Sequence, residues 1–116
     1  MADNDCLFCK IVTGDISADI IAESDSAIAF RDVNPEAPTH VLVIPRDHYP
    51  NVAAVADAGD VDVAQLIRLA AEVADQEGIA ETGYRLVVNT GAEAHQTVFH
   101  AHVHVLGGRP MGWPPG

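Results

Sequence analysis

Positive charge is what the sequence has least of. Six Lys and Arg stand against 17 Asp and Glu, a formal net charge of −11, and Lys10, Arg31, Arg46, Arg68, Arg85 and Arg109 are scattered rather than clustered. A nucleic-acid backbone is repelled by such a surface, so long nucleic acid is excluded as a partner. A small phosphate ligand is not, because backbone N–H groups, hydroxyls and imidazoles bind phosphate without a basic patch. Long apolar runs are also missing. No stretch approaches the ~20 residues that a membrane-spanning helix needs. The acidic start "MADNDCLFCK" lacks the basic and apolar segments of a secretory leader. These absences lead us to expect a cytoplasmic protein with no membrane partner. In that compartment the two cysteines, Cys6 and Cys9, are not expected to form a structural disulfide.

What remains is an ordinary globular balance, 48% hydrophobic and 20% charged over 116 residues. That is enough for one domain over residues 1–116 with a core of its own, and too little for two. "CLFCKIVTG" spaces Leu7, Phe8 and Ile11 as a short helix and stops at Gly14. The runs 19–23, 27–32 and 40–45 read as consecutive antiparallel strands, with Asn34, Pro35 and Pro38 in the second connection. Residues 62–77 place Val63, Leu66, Ile67, Ala70, Val73 and Ala74 on one helical face, with Asp60 as N-cap and Gly78 as stop. Runs 84–89 and 98–106 are two more strands, joined by the loop "TGAEAHQT". The expected fold is α+β: a five-stranded, mainly antiparallel sheet with one long and one short helix.

The most unusual stretch is "HAHVHV", residues 100–105, which holds three of the chain's six histidines. On a strand His100, His102 and His104 share one face, and Ala101, Val103 and Val105 point to the core on the other. One metal ion cannot use all three, because at ~3.4 Å per residue the outer two lie roughly 13 Å apart along the strand. A solvated histidine row is the bland alternative. Three imidazoles in register, directly after a polar loop, instead suit nucleophilic and proton chemistry near neutral pH. One attacks phosphorus while its neighbours donate to phosphate or leaving group.

"HAHVHVL" resembles the histidine triad signature, His-φ-His-φ-His-φ-φ with φ apolar. "FCKI", "AFRDVNPEAPTHVLVIPRDH", "YRLVVNTG" and the ending "GGRPMGWPPG" extend the resemblance to nearly the whole chain. They resemble the Hint branch of the superfamily, the histidine triad nucleotide-binding proteins, more than the dinucleoside polyphosphate hydrolase branch, whose tail differs. The resemblance implies a homodimeric hydrolase of HIT-like fold. It would cleave the P–N bond of nucleoside, typically adenosine, 5′-monophosphoramidates through a nucleotidyl-histidine intermediate, with no cofactor required for catalysis. It makes His102 the nucleophile and sets His104 at the α-phosphate or bridging atom, with His100 and His40 completing the row. Gln96 and Thr97 fall in the phosphate loop, Asn89 near ribose and phosphate, and Asp32 on the ribose diol. Phe8, Ile11, Phe30, Val33 and Leu42 match the base slot for a purine nucleotide (AMP, GMP or their phosphoramidates), and Trp113 rides a tail that crosses to the other protomer. The plain alternatives are core packing for Ile11 and Leu42, a turn role for Asp32, and a frayed terminus at Trp113. Where the family has a glycine pair before the loop glutamine, Ala94 and His95 stand here. Rival functions are a dinucleoside polyphosphate hydrolase or nucleotidyl transferase, and a nucleotide-binding scaffold. The tail argues against the former, the intact triad against a purely binding role.

Cys6-x-x-Cys9 is by spacing a metal half-site or a redox pair. No βαβ pattern surrounds it, which weakens the redox reading. The resemblance implies a structural zinc on Cys6, Cys9, His48 and His100, a Cys2His2 set, with His95 a lesser substitute. The alternative is two buried thiols without metal.

Overall fold

The run from Thr39 to Pro45 is apolar at nearly every position, and such a strand must be covered on both faces. In the computed structural model, which describes residues 5–116, it is β3, the centre of the sheet, and every one of its residues is buried. Around it, in chain order, lie α1 (Leu7–Thr13), β1 (Ile20–Glu23) and β2 (Ala27–Arg31) before it. After it come α2 (Val52–Ala58), α3 (Asp60–Gln76), β4 (Tyr84–Val87), a 3-10 turn (Ala92–Ala94) and β5 (Val103–Gly107). The strand order is β1-β2-β3-β5-β4, with all neighbours antiparallel.

Parity sorts the two faces. Ala27, Ala29, Val41, Val43, Val103 and Val105 point to α3 and pack on Leu66, Leu69, Ala70 and Val73. Ile28, Phe30, Leu42 and Ile44 point the other way, onto Phe8 and Ile11 of α1. Burial of each Leu, Ile or Val side chain contributes about 1.5–3 kcal/mol, so both layers are held mainly by this alternation. Helix α1 is capped by Cys6, whose Sγ accepts from the Cys9 N–H at 3.4 Å, and stops at Gly14 in the left-handed region, φ 87°.

The structure departs from the sequence expectations at four places. The last strand starts at Val103, not at 98. Pro45 has no N–H with which to extend the β3 ladder past Val43↔Val103, and β4 ends opposite His104, so neither neighbour can pair residues 98–102. That segment is held instead by the Ala101 N–H on the Tyr49 carbonyl, 2.7 Å. A further helix, α2, occupies 52–58, capped by Asn51 Oδ1 on the Ala54 N–H at 2.9 Å. Asp60 lies inside the first turn of α3 with Asp62, where carboxylates complement the helix dipole, and does not cap it. On α3 it is Leu69 that is buried, while Ile67 is 45% exposed, because residues 66, 69, 70 and 73 share one face and 67 turns about 100° away from 66.

Candidate active site and metal cluster

On the α1 side of the sheet a cleft of about 580 Å³ opens. One end is apolar, lined by Phe8, Ile11, Phe30, Val33 and Leu42; the other presents Asp32, His40, Asn89, Thr97, His102 and His104. The sequence-expected residues that meet here come from α1, β2, β3, β5, the segment just before β5 and the loops after β2 and β4. Gln96 does not line the cleft. It is buried, with Nε2 donating to the carbonyls of Pro50 (2.7 Å) and Val98 (3.1 Å) and Oε1 accepting from the Gly91 N–H (2.9 Å), so it braces the loop. Trp113 is 83% exposed and does not line the cleft of its own chain.

Hydrogen bonds assign the tautomers of four histidines, because a carbonyl can only accept and a backbone N–H only donate. His102 Nδ1–H donates to the His100 carbonyl at 2.7 Å, which leaves the Nε2 lone pair unencumbered. His40 Nδ1 accepts from the Glu36 N–H at 3.0 Å, so its Nε2–H donates to His104 Nδ1 at 2.9 Å. His104 therefore carries its proton on Nε2, a buried nitrogen with no partner among the described residues. His100 is fully buried, and its Nε2–H donates to the Pro45 carbonyl at 2.8 Å, which turns the Nδ1 lone pair toward Cys6 Sγ (3.4 Å) and Cys9 Sγ (3.5 Å).

Burial lowers the pKa of His40, His100 and His104. Desolvation first, then the neighbouring His102 and His40, push His104 from the ordinary 6.5 down to about 4, against an opposing pull from Asp32. Desolvation also lowers His40, with Asp32 and Glu36 pulling the other way. Asp32 closes an Asx turn, Oδ1 accepting from the Asn34 N–H at 2.9 Å, and its Oδ2 lies 3.4 Å from His40 Nε2. It is thus both a turn former and a wall of the cleft. Arg31, the one basic residue among those lining the cleft, is committed elsewhere. Its guanidinium makes two bonds to Glu77 (2.6 and 3.1 Å), which raise its pKa, and a longer contact with Asp19.

Beside this cleft Cys6, Cys9, His48 and His100 bring one ligand atom each to within 4.8 Å of one another. His48 Nδ1 lies 3.4 Å from Cys9 Sγ, and the two cysteines form no disulfide. Two sulfurs and two imidazole nitrogens are a normal set for closed tetrahedral zinc, and the lone pair of His100 Nδ1 fits that use. His95 is not in this group; it lines the cleft. His100 thus belongs to the metal cluster by its side chain and to the histidine row by its carbonyl. The backbone acceptors of His100 and Pro45 and the donor of Glu36 have no signature in a sequence. Neither do Leu7, Ile16 and Ala18, which line the apolar end.

Residues 13–111 match the family model of the HIT domain. The chain is 46% identical over 106 residues to the purine nucleoside phosphoramidase of Escherichia coli K12, covering 91% of this chain and 89% of that one. It is 43% identical to a 14 kDa zinc-binding protein of Zea mays, covering 98% and 90%. A HIT family hydrolase from Legionella pneumophila superposes with a TM-score of 0.92 at 46% identity, covering 97% of this chain and all of the other.

Proposed function

The chain belongs to the HIT family, and on that premise we propose that it hydrolyses the P–N bond of purine nucleoside 5′-monophosphoramidates, most simply that of adenosine. The observation that carries this is the hydrogen bonding of His102. Its Nδ1–H is spent on a carbonyl, so the Nε2 lone pair is left unencumbered on a ring that lines the cleft edge-on to Phe8, centroids 5.3 Å apart. The base enters between Phe8, Ile11, Phe30, Val33 and Leu42, and Asp32 and Asn89 take the ribose. Thr97 and His104 Nε2–H donate to the phosphate. His102 Nε2 forms a bond to phosphorus as the P–N bond breaks and the departing amine takes up a proton. Water then displaces His102, and nucleoside monophosphate leaves. The net reaction adds H to nitrogen and OH to phosphorus. His40 acts through His104, fixing the proton on its Nε2.

The proposal extends to the metal cluster: zinc on Cys6, Cys9, His48 and His100. Bound there, zinc supplies structural cross-linking between α1, the turn after β3 and the segment before β5, and no step of the reaction. The thiol pair suits a reducing compartment such as the cytoplasm. A homodimer in which the tail and Trp113 of one protomer reach the other's cleft completes the proposal. The test is a substrate panel: adenosine and guanosine phosphoramidates beside diadenosine polyphosphates. Higher kcat/KM for the phosphoramidates is expected. Faster cleavage of the diadenosine compounds would overturn the assignment in favour of a dinucleoside polyphosphate hydrolase, and binding without turnover would leave a nucleotide-binding scaffold.

A further inference from the structure

Among the described residues, His95 is the one non-glycine residue with positive φ, 64° with ψ 35°. A left-handed backbone is disfavoured for any residue with a β-carbon, and where one persists its surroundings hold it there. Here they do. The Gly91–Gln96 loop is tied at its neck by Gln96 N–H to the Gly91 carbonyl (3.1 Å) and Gly91 N–H to Gln96 Oε1, and within by His95 N–H to the Ala92 carbonyl (3.0 Å). The loop is thus braced around a conformation that glycine would adopt with less strain, yet an imidazole occupies it. That imidazole is exposed and lines the cleft alongside Asn89, Thr97 and His102. It makes no side-chain hydrogen bond or ion pair among the described residues, and the guanidinium of Arg31 is bound to Glu77. The polar end of the cleft therefore has to meet an anion with imidazoles, hydroxyls and amides.

We propose that His95 is a specificity-determining residue whose imidazole hydrogen-bonds the phosphate of the bound nucleotide, so that the cleft separates nucleoside 5′-phosphates from nucleosides. This rests on the nucleotide reading above and adds a residue to it. The test is calorimetric titration of AMP and of adenosine into the full chain, His95→Gly and His95→Asn, with melting temperatures measured alongside. For His95→Gly the Kd of AMP should rise about five- to tenfold, the loss of one hydrogen bond to a charged group that is partly solvated. Adenosine affinity should stay within about twofold, and the melting temperature should not fall, because glycine suits the backbone. Asn tolerates the left-handed region and carries a donor, so His95→Asn should recover part of the lost AMP affinity. An AMP-to-adenosine preference unchanged in both variants would overturn the role of His95 while leaving the nucleotide reading intact. A wild-type chain that binds neither compound would overturn both.

Discussion

Acidification should destabilise the protein through His104 by an amount that can be worked out. In the fold this imidazole is held neutral, its pKa lowered from 6.5 to about 4 by desolvation and by the adjacent His102 and His40, with Asp32 opposing. Below pH 6.5 the unfolded chain takes up a proton that the folded chain refuses, so the unfolded state binds more protons and stability falls with pH. The contribution is fully present above 6.5 and is lost as the pH falls toward 4. Its size is about 3 kcal/mol in total, of which about 2 kcal/mol is gone by pH 5. The perturbation is His104→Asn, which removes the titrating group and leaves an oxygen that can accept from His40 Nε2. The assay is urea unfolding at fixed temperature from pH 7.5 to 5. Equal slopes against urea are required before the two proteins are compared. His40 and His104 act on each other's charge, so the difference between the two curves reads His104 together with its coupling to His40. The wild type should lose about 2 kcal/mol more than the variant between pH 7 and 5. Parallel curves would refute the neutral, partly buried His104 on which the hydrogen-bond assignment of the row depends.

Elemental analysis of protein purified without chelators should find about one zinc per chain, and Cys9→Ser should abolish it. Removing a structural zinc present at about a thousandfold its Kd costs roughly 4 kcal/mol; metal-free protein with two freely titrating thiols and unchanged stability would rule the site out. The tail is anchored on its own chain by Arg85 Nη2 to the Gly112 carbonyl, 2.7 Å, while Trp113 stands out in solvent. Sedimentation should give a dimer, and deletion of residues 111–116 should alter the ranking of leaving groups in kcat/KM more than the Kd for nucleoside monophosphate. A monomer, or an unchanged ranking, would remove the tail from the site.

Strand periodicity made much of the fold and the row legible. The alternation of Ala101, Val103 and Val105 with His100, His102 and His104 depends only on extended backbone, so it survived although the ladder itself begins at Val103. What the sequence did not disclose depends on particular backbone groups. That His100 turns its Nδ1 toward the cysteines follows from one carbonyl, that of Pro45, and that His102 presents Nε2 follows from another, that of His100. The resemblance put Gln96 in the phosphate loop, where its buried amide, with three partners, braces the backbone and does not line the cleft. Leu69 and Ile67 are both apolar and two residues apart, and only the packing of α3 on the sheet chose between them. Helix α2 buries only Val55 and so carries no apolar stripe for periodicity to announce, though Asn51 before it and Gly59 after it are its caps.

The central claim is that His102 Nε2 becomes bonded to phosphorus. The direct measurement is mass spectrometry of the chain quenched during turnover of adenosine 5′-monophosphoramidate, at alkaline pH, where a phosphorus–nitrogen bond to histidine survives. A mass gain of one adenylyl group, mapped to His102 and absent together with turnover from His102→Ala, is the predicted result. Turnover retained in His102→Ala, or an adenylyl group found on another residue, would contradict it.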